Sequence, residues 1–325
     1  MRPCHLDRHL SALSNSGRPV RLGGANMTEG DSMTEATLLL DDLIIGESPR
    51  WHDGRLWFCN WGARQIVAVG ADGRSEVIPL DPAVDPHSIE WLPDGRLLVV
   101  AKGDEVQHRL LRQEHDGDVV LHADLGDLPA GLNEIVVDGR GNIYFNGIGF
   151  DFLTFMKSMD PADHRPLHER PGYAPGFIAV ITPDGTVRRV GGDVAFPNGM
   201  AVTPDNRTLI VAESFARCLT AYDIEPDGGL SNRRVWAGDV GPDGICIDAD
   251  GAVWTSTGGT TAIRVREGGE ILDRVELDRW PFALMLGGDT LYIMAAHFNP
   301  MDPFGGPHTG QVLTAPAPAR HVGWP

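Results

Sequence analysis

Short runs of alternating apolar and polar residues, each pair separated by a tight polar turn, recur along this chain. The turns are mostly Asp-Gly, and the flanking runs are rich in valine, isoleucine, leucine and aromatic residues, which is typical of β-hairpins. The six copies are ESPRWHDGRLWFCN, HSIEWLPDGRLLVVA, NEIVVDGRGNIYFNG, NGMAVTPDNRTLIVAE, DGICIDADGAVWTST and FALMLGGDTLYIMAA.

The spacing of the copies predicts the architecture. Their leading residues are separated by 40, 46, 65, 45 and 39 residues. A period of about 40 to 45 residues built from short strands is typical of four-stranded propeller blades. Further strand-like runs at 64–80, 177–191 and 219–238 supply outer strands. We therefore predict an all-β fold, a six-bladed β-propeller with four-stranded blades.

The remaining segments define the domain boundaries. Residues 36–42 are expected to complete the last blade beside residues 310–315. Residues 1–32 are predicted to be a disordered N-terminal extension, and 33–325 a single propeller domain. The long third interval is assigned to an insertion at about 150–176, a candidate lid. The tail from Ala315 reads as a Pro-rich terminus.

Composition and charge restrict the function classes. A net charge of -18 and a pI near 4.9 disfavour binding to nucleic acid or to an anionic membrane surface. The sequence has no apolar run of membrane-span length and no CxxC pair, so we expect a cytoplasmic protein without disulfides or zinc clusters. It also lacks GxSxG, P-loop and HExxH motifs, which disfavours serine-hydrolase, nucleotide and zincin chemistry.

The first strand of each propeller blade lines the central channel, so equivalent residues form a ring around one axis. Carboxylate and amide oxygens in such a ring suit calcium, magnesium or manganese. A channel holding only ordered water is the alternative, and for the two asparagines so is local turn chemistry. The ring positions are Glu47, His87, Asn133, Asn198, Asp243 and Phe282.

Four segments carry a family resemblance. GESPRW, LNEIVVDGRGNIYF, PNGMAV and PDGICID, in that order, resemble the regucalcin/gluconolactonase (senescence marker protein-like) family of six-bladed propeller lactonases. The resemblance implies that Glu47, Asn198 and Asp243 ligate one divalent cation, and that Asn133 helps bind the metal or the substrate. Calcium is the first expectation, with magnesium, manganese and zinc as alternatives.

Two positions affect the expected specificity and mechanism. Gly131 stands where the family commonly has an arginine that contacts the sugar, so the preference for a typical aldonolactone is open. His87, in DPHSI, is similar to a candidate base of the related paraoxonase lactonases.

The resulting hypothesis is a metal-dependent carboxylic-ester hydrolase that opens a small, sugar-derived lactone. Asp243 is the expected base and metal ligand, with His87 assisting. Asn133, His87, Phe282 and His297 are expected to contact the substrate, and Glu213 and Phe150 to lie at the channel mouth. The alternatives are a phosphotriesterase-type hydrolase and a non-catalytic calcium- or ligand-binding propeller.

Overall fold

The computed structural model describes residues 34–102, 109–125, 128, 131–160 and 162–324. The predicted extension at 1–32 lies outside this range. Within it, the chain forms six four-stranded antiparallel sheets, and no helix there has the length and apolarity needed to cross a bilayer. Strand β1 (Thr37–Leu43) joins the last sheet.

The sheets are the blades of a propeller, since the first strand of each contacts the first strands of its neighbours. Blade one comprises β2 (Ile45–His52), β3 (Arg55–Trp61), β4 (Gln65–Val69) and β5 (Ser75–Ile78). Blade two comprises β6 (Asp85–Trp91), β7 (Leu97–Lys102), β8 (Arg109–Gln113) and β9 (Val119–Asp124). Blade three comprises β10 (Leu132–Val137), β11 (Ile143–Gly147), β12 (Gly176–Ile181) and β13 (Val187–Val194). Blade four comprises β14 (Pro197–Val202), β15 (Thr208–Glu213), β16 (Cys218–Ile224) and β17 (Leu230–Gly238). Blade five comprises β18 (Cys246–Ile247), β19 (Val253–Ser256), β20 (Thr261–Val265) and β21 (Ile271–Glu276). Blade six comprises β22 (Trp280–Gly287), β23 (Thr290–Ala296) and β24 (Gly310–Pro316), together with β1. The predicted six-bladed propeller is confirmed.

The last blade joins the two ends of the fold, as the sequence predicted. Strand β1 pairs antiparallel with β24, with Thr37 opposite Thr314 and Leu43 opposite Gly310. Apolar side chains fill the spaces between blades; Trp51 of blade one stacks on Tyr292 of blade six at 5.3 Å. This closure pairs an edge that would otherwise be exposed.

The Pro-rich C-terminal segment docks on the propeller. After β24 the chain crosses the end of the propeller at which the inner strands finish. His321 bridges Asp248 of blade five, and Trp324 exchanges two backbone hydrogen bonds with Val202 of blade four. A Cβ atom added to Gly139 in blade three would lie 2.7 Å from the Trp324 ring. The proline content did not prevent docking, because backbone groups of the other tail residues pair with the blades.

The insertion in blade three lies at the opposite end, where the inner strands begin. It contains helix α1 (Phe152–Lys157), which is capped by the Asp151 side chain, and a 3-10 turn (Leu167–Glu169). Its aromatic side chains pack on two residues of blade four, Phe196 and Phe215; Phe150 lies 5.9 Å from each, and Phe152 stacks on Phe196 at 5.3 Å. The insertion is thus a packed structure next to β14.

Candidate functional site

The ring positions coincide with irregularities in the inner strands. In five blades the pairing register shifts at or beside the ring residue, and in blade five Asp243 precedes the two-residue strand β18. The shifts fall between Glu47 and Arg50, Pro86 and Ser88, Leu132 and Ile135, Pro197 and Met200, and Pro281 and Ala283. A β-bulge re-aims the side chains near it, so these residues can leave the alternating pattern and face the channel entrance.

The Pro-Asn-Gly triplet is therefore part of a strand and not a turn. Asn198 and Gly199 lie within β14. A Cβ atom on Gly199 would lie 2.5 Å from the backbone nitrogen of Ile245 and 2.7 Å from the carbonyl oxygen of Asp243. Glycine is required here because blades four and five approach closely, and that approach places Asn198 beside Asp243.

Contacts between neighbouring ring segments run around most of the axis. They join blades one and two through side-chain hydroxyls, blades two and three through side chains, and later blades mainly through backbone groups. The contacts are Ser48 Oγ to Ser88 Oγ (2.9 Å), His87 Nε2 to Asn133 Oδ1 (3.3 Å), Asn133 Nδ2 to Pro197 O (3.1 Å), Gly199 N to Asp243 O (3.1 Å) and Gly244 N to Phe282 O (2.7 Å).

Two carboxyl groups of the ring interact unfavourably when both are charged. Burial raises the pKa of Asp243 to about 7, and the nearby Glu134 carboxylate adds to the effect, while a hydrogen bond from Asn198 opposes it. Burial, followed by the charges of Asp243 and Glu134, raises the pKa of Glu47 well above its usual value. Glu47 is only 7% exposed, so water screens little of this repulsion.

His87 is held by two neighbours, Trp61 and Asn133. Its ring stacks on Trp61 at 4.0 Å, and the Trp61 indole N–H donates to the His87 carbonyl (2.7 Å). Since the Asn133 amide nitrogen donates to Pro197, the amide oxygen faces His87 Nε2, which must then carry the proton. Burial and the charge of Lys102 lower the His87 pKa well below its usual value. The imidazole is neutral, and Nδ1 is its acceptor nitrogen.

A second polar cluster, not predicted from the sequence, lies one to three residues further along the inner strands. Arg50 contacts Glu90 (Nε to Oε2, 2.7 Å) and Glu134 (Nη2 to Oε1, 2.9 Å). The hydroxyls of Ser48 and Ser88 both donate to Glu134. A signal was available: Arg50 and Glu90 directly precede the tryptophans at equivalent repeat positions, and charges buried in neighbouring strands must pair.

The donor set fits a hard divalent cation. Within the described residues, the inner strands here bring four carboxylates, those of Glu47, Glu90, Glu134 and Asp243, against one guanidinium, that of Arg50. No three His, Cys, Asp or Glu side chains of the described chain form a metal-sized cluster, so an amide such as Asn198 would complete the set. A bound cation would remove the repulsion between Glu47 and Asp243.

The other predicted site residues have different surroundings. Phe282 is 9% exposed and packs on Phe298 at 5.4 Å in an apolar cluster with Ile45. His297 follows β23 at the mouth, and its side chain is exposed. Glu213 is 2% exposed and binds Arg233 and Thr220, so it is a structural residue beneath the mouth.

Gly131 cannot be replaced by a larger residue without a backbone change. Its φ is +92°, and a Cβ atom would lie 2.8 Å from Cγ1 of Ile148. The arginine of the family pattern therefore does not fit this backbone, and the departure seen in the sequence is built into the local structure.

A pH-dependent stability follows from the raised pKa values. The pKa of Asp243 is raised to about 7 and that of Glu47 well above its usual value, so the folded, cation-free protein holds protons that the unfolded chain releases above about pH 4. Its stability therefore falls as the pH rises from there through the folded-state pKa of Asp243. We expect Asp243→Asn to melt at a temperature similar to wild type at pH 5 but at least about 5 °C higher at pH 8 in a chelator. Thermal denaturation followed by circular dichroism measures this. A difference independent of pH would contradict the assigned electrostatics.

Comparison with known proteins relates this chain to a sequence family. Residues 45–297 match the SMP-30/gluconolactonase/LRE-like region. The L-arabinolactonase of Azospirillum brasilense is 28% identical over 302 residues, covering 89% of this chain and 93% of that protein. The pentonolactonase XacC of Haloferax volcanii is 24% identical, covering 69% of this chain and 70% of its own. A 6-deoxy-6-sulfogluconolactonase of Pseudomonas putida is 32% identical over 134 residues, which span 38% of this chain and 46% of that protein.

Solved structures share the fold. A gluconolactonase of Xanthomonas campestris superposes with a TM-score of 0.66 at 22% identity, covering 88% of this chain and 90% of its own. Regucalcin of Agrobacterium tumefaciens, a calcium-binding protein, superposes with a TM-score of 0.65 at 19% identity, covering 90% of this chain and 97% of its own. The propeller, together with a sequence match that spans most of the chain, shows that this protein belongs to the SMP-30/gluconolactonase/LRE-like family.

Proposed function

We propose that this protein is a metal-dependent carboxylic-ester hydrolase that opens the ring of a small lactone. The observation that carries the proposal is the pair of carboxyl groups, Glu47 and Asp243, held beside Asn198 at the channel entrance with raised pKa values. The lactonase relatives support the reaction class. The repulsion between these carboxylates favours a bound cation, and a bound cation is what polarises the carbonyl of the lactone.

Glu47, Asn198 and Asp243 are the proposed cation ligands. When bound, the ion supplies a Lewis acid for the carbonyl oxygen of the lactone. Calcium is our first choice because the donors are all oxygens and the cluster includes an amide; magnesium, manganese and zinc are the alternatives. Asn133 Oδ1 accepts one hydrogen bond from His87, and its second lone pair would be available to a cation as a fourth ligand.

Asp243 is the proposed general base. Asp243 is a half-buried residue near the mouth, and a carboxylate close to the scissile bond can accept the proton of the attacking water. His87 is assigned a supporting role, because its Nε2 proton is directed to Asn133 and its lowered pKa makes it a weak acceptor. Asn133 and His87 together would hold one edge of the substrate.

The substrate is proposed to be a small sugar-derived lactone such as a pentonolactone. Two relatives that match over 69% and 89% of this chain carry names of this class. Since Gly131 offers no side chain to the sugar, we expect weaker discrimination among the hydroxyl patterns of aldonolactones than an arginine would give.

A lactone panel tests the proposal. With calcium present, at least one sugar lactone is expected to be hydrolysed, and a chelator is expected to lower the rate by about 100-fold or more because the carbonyl loses its polarising charge. Proton release is followed with a pH indicator, and each metal is restored in turn. A phosphotriester serves as the competing substrate. Hydrolysis that is equally fast in the chelator, or confined to the phosphotriester, would overturn the proposal.

A further inference from the structure

The turn between β15 and β16 brings a hydroxyl group between two of the proposed cation ligands. Ser214 Oγ donates to the carbonyl oxygen of Pro242 (2.8 Å) and accepts from the amide nitrogen of Asn198 (3.4 Å). Pro242 directly precedes Asp243. One side chain thus connects the Asn198 amide with the segment that carries the Asp243 carboxylate.

The direction of these two bonds fixes the Asn198 amide. Because the Ser214 proton is directed to Pro242, only the oxygen lone pairs remain for Asn198, and they bind its nitrogen and not its oxygen. Asn198 Nδ2 therefore faces Ser214, and the amide nitrogen also supplies the hydrogen bond to Asp243 described above, which leaves Oδ1 for another partner. An amide oxygen is the atom that a hard cation binds.

The hydroxyl itself is held in place by the backbone. Ser214 N donates to Phe196 O and Phe215 N donates to Ala195 O, both at 3.1 Å. Phe215 is 8% exposed and packs on Phe196 at 4.5 Å, beneath the aromatic side chains of the insertion. The turn can therefore impose an orientation on Asn198.

We propose that Ser214 is a positioning residue of the cation site, which sets the orientation of the Asn198 amide and the location of the Asp243 segment. This rests on the proposed function, since it takes Asn198 and Asp243 as ligands. A residue that orients metal ligands typically changes metal affinity about 10- to 100-fold when it is removed. The insertion packs on Phe215, the residue that follows Ser214 in this turn.

The test is calcium binding measured by isothermal titration calorimetry on the full chain, with turnover as a second readout. Ser214→Ala is expected to weaken calcium binding about 10-fold, and Ser214→Thr, which keeps the hydroxyl, to restore most of the affinity. Ser256→Ala is the matched control: Ser256 Oγ donates to Gly241 O (2.8 Å) in the same segment but contacts neither ligand side chain. We expect its affinity to remain close to wild type.

Two further variants separate the failure of this inference from the failure of the proposed function. Asn198→Ala and Asp243→Asn should each lower calcium affinity more than Ser214→Ala does. If they do so while Ser214→Ala binds like wild type, or while Ser256→Ala loses as much as Ser214→Ala, the positioning role is overturned. If neither ligand variant changes calcium binding, the cation site itself is misassigned.

Discussion

Asp243→Asn is expected to reduce kcat/KM for lactone hydrolysis by about 1000-fold or more, with the fold intact. The substitution removes the proposed general base and one charge of the proposed cation site at once, and each loss alone is large. Asparagine has nearly the same volume, and in the cation-free protein it ends the repulsion with Glu47, so unfolding is not the expected cause. Steady-state rates at saturating calcium, with circular dichroism of the same samples, measure both quantities.

Asp239→Asn is the matched control for this variant. Asp239 lies four residues upstream, is exposed, and has a φ of +58°, a conformation that asparagine adopts readily. Its activity should equal that of wild type. If Asp243→Asn retained more than about a tenth of wild-type kcat/KM, Asp243 could not be the base in this reaction.

Arg50→Leu is expected to destabilise the protein by about 3–5 kcal/mol, because it leaves Glu90 and Glu134 buried without their common cation. The Arg50 side chain is 4% exposed and also donates to the carbonyl oxygens of Pro49 and Ile135, so the loss extends across three blades. Urea denaturation monitored by tryptophan fluorescence gives the free energy of unfolding. Arg50→Lys keeps the charge but not the fork of donors, so its free energy of unfolding should lie between those of wild type and Arg50→Leu.

An exposed ion pair provides the comparison for Arg50. Arg266 lies near Glu270 at 3.3 Å, with both side chains more than half exposed. Arg266→Leu should cost at most about 1 kcal/mol, since water screens such pairs. Equal effects of Arg50→Leu and Arg266→Leu would show that the buried cluster contributes no more than a surface pair.

The blades were predictable because their signals are local. The alternation of apolar and polar residues and the Asp-Gly turn lie within about 15 residues of one another. Each hairpin can therefore be predicted without its neighbours. Closure by β1 followed from a strand left without a partner at each end. The ring is predicted from the same repeat, since equivalent inner-strand positions meet at the axis of a propeller.

The features of the site that the sequence did not predict depend on contacts between blades. The register shift at Asn198 depends on how closely blade five approaches Gly199, and neither sequence segment shows this alone. Likewise, the partners of Arg50 are 40 and 84 residues away. Docking of the insertion on Phe215 requires two separate segments to be placed first. Such nonlocal packing decides the details of the site, although the repeat decides its location.

The segment that ends at Trp324 lies on the propeller face opposite the mouth, against Val202 and Gly139. A tether added at the C-terminus would therefore extend from the face of the propeller opposite the mouth. Immobilised on a sensor chip or resin in this way, the molecule would present the channel entrance, with the proposed cation site, to the flowing solution.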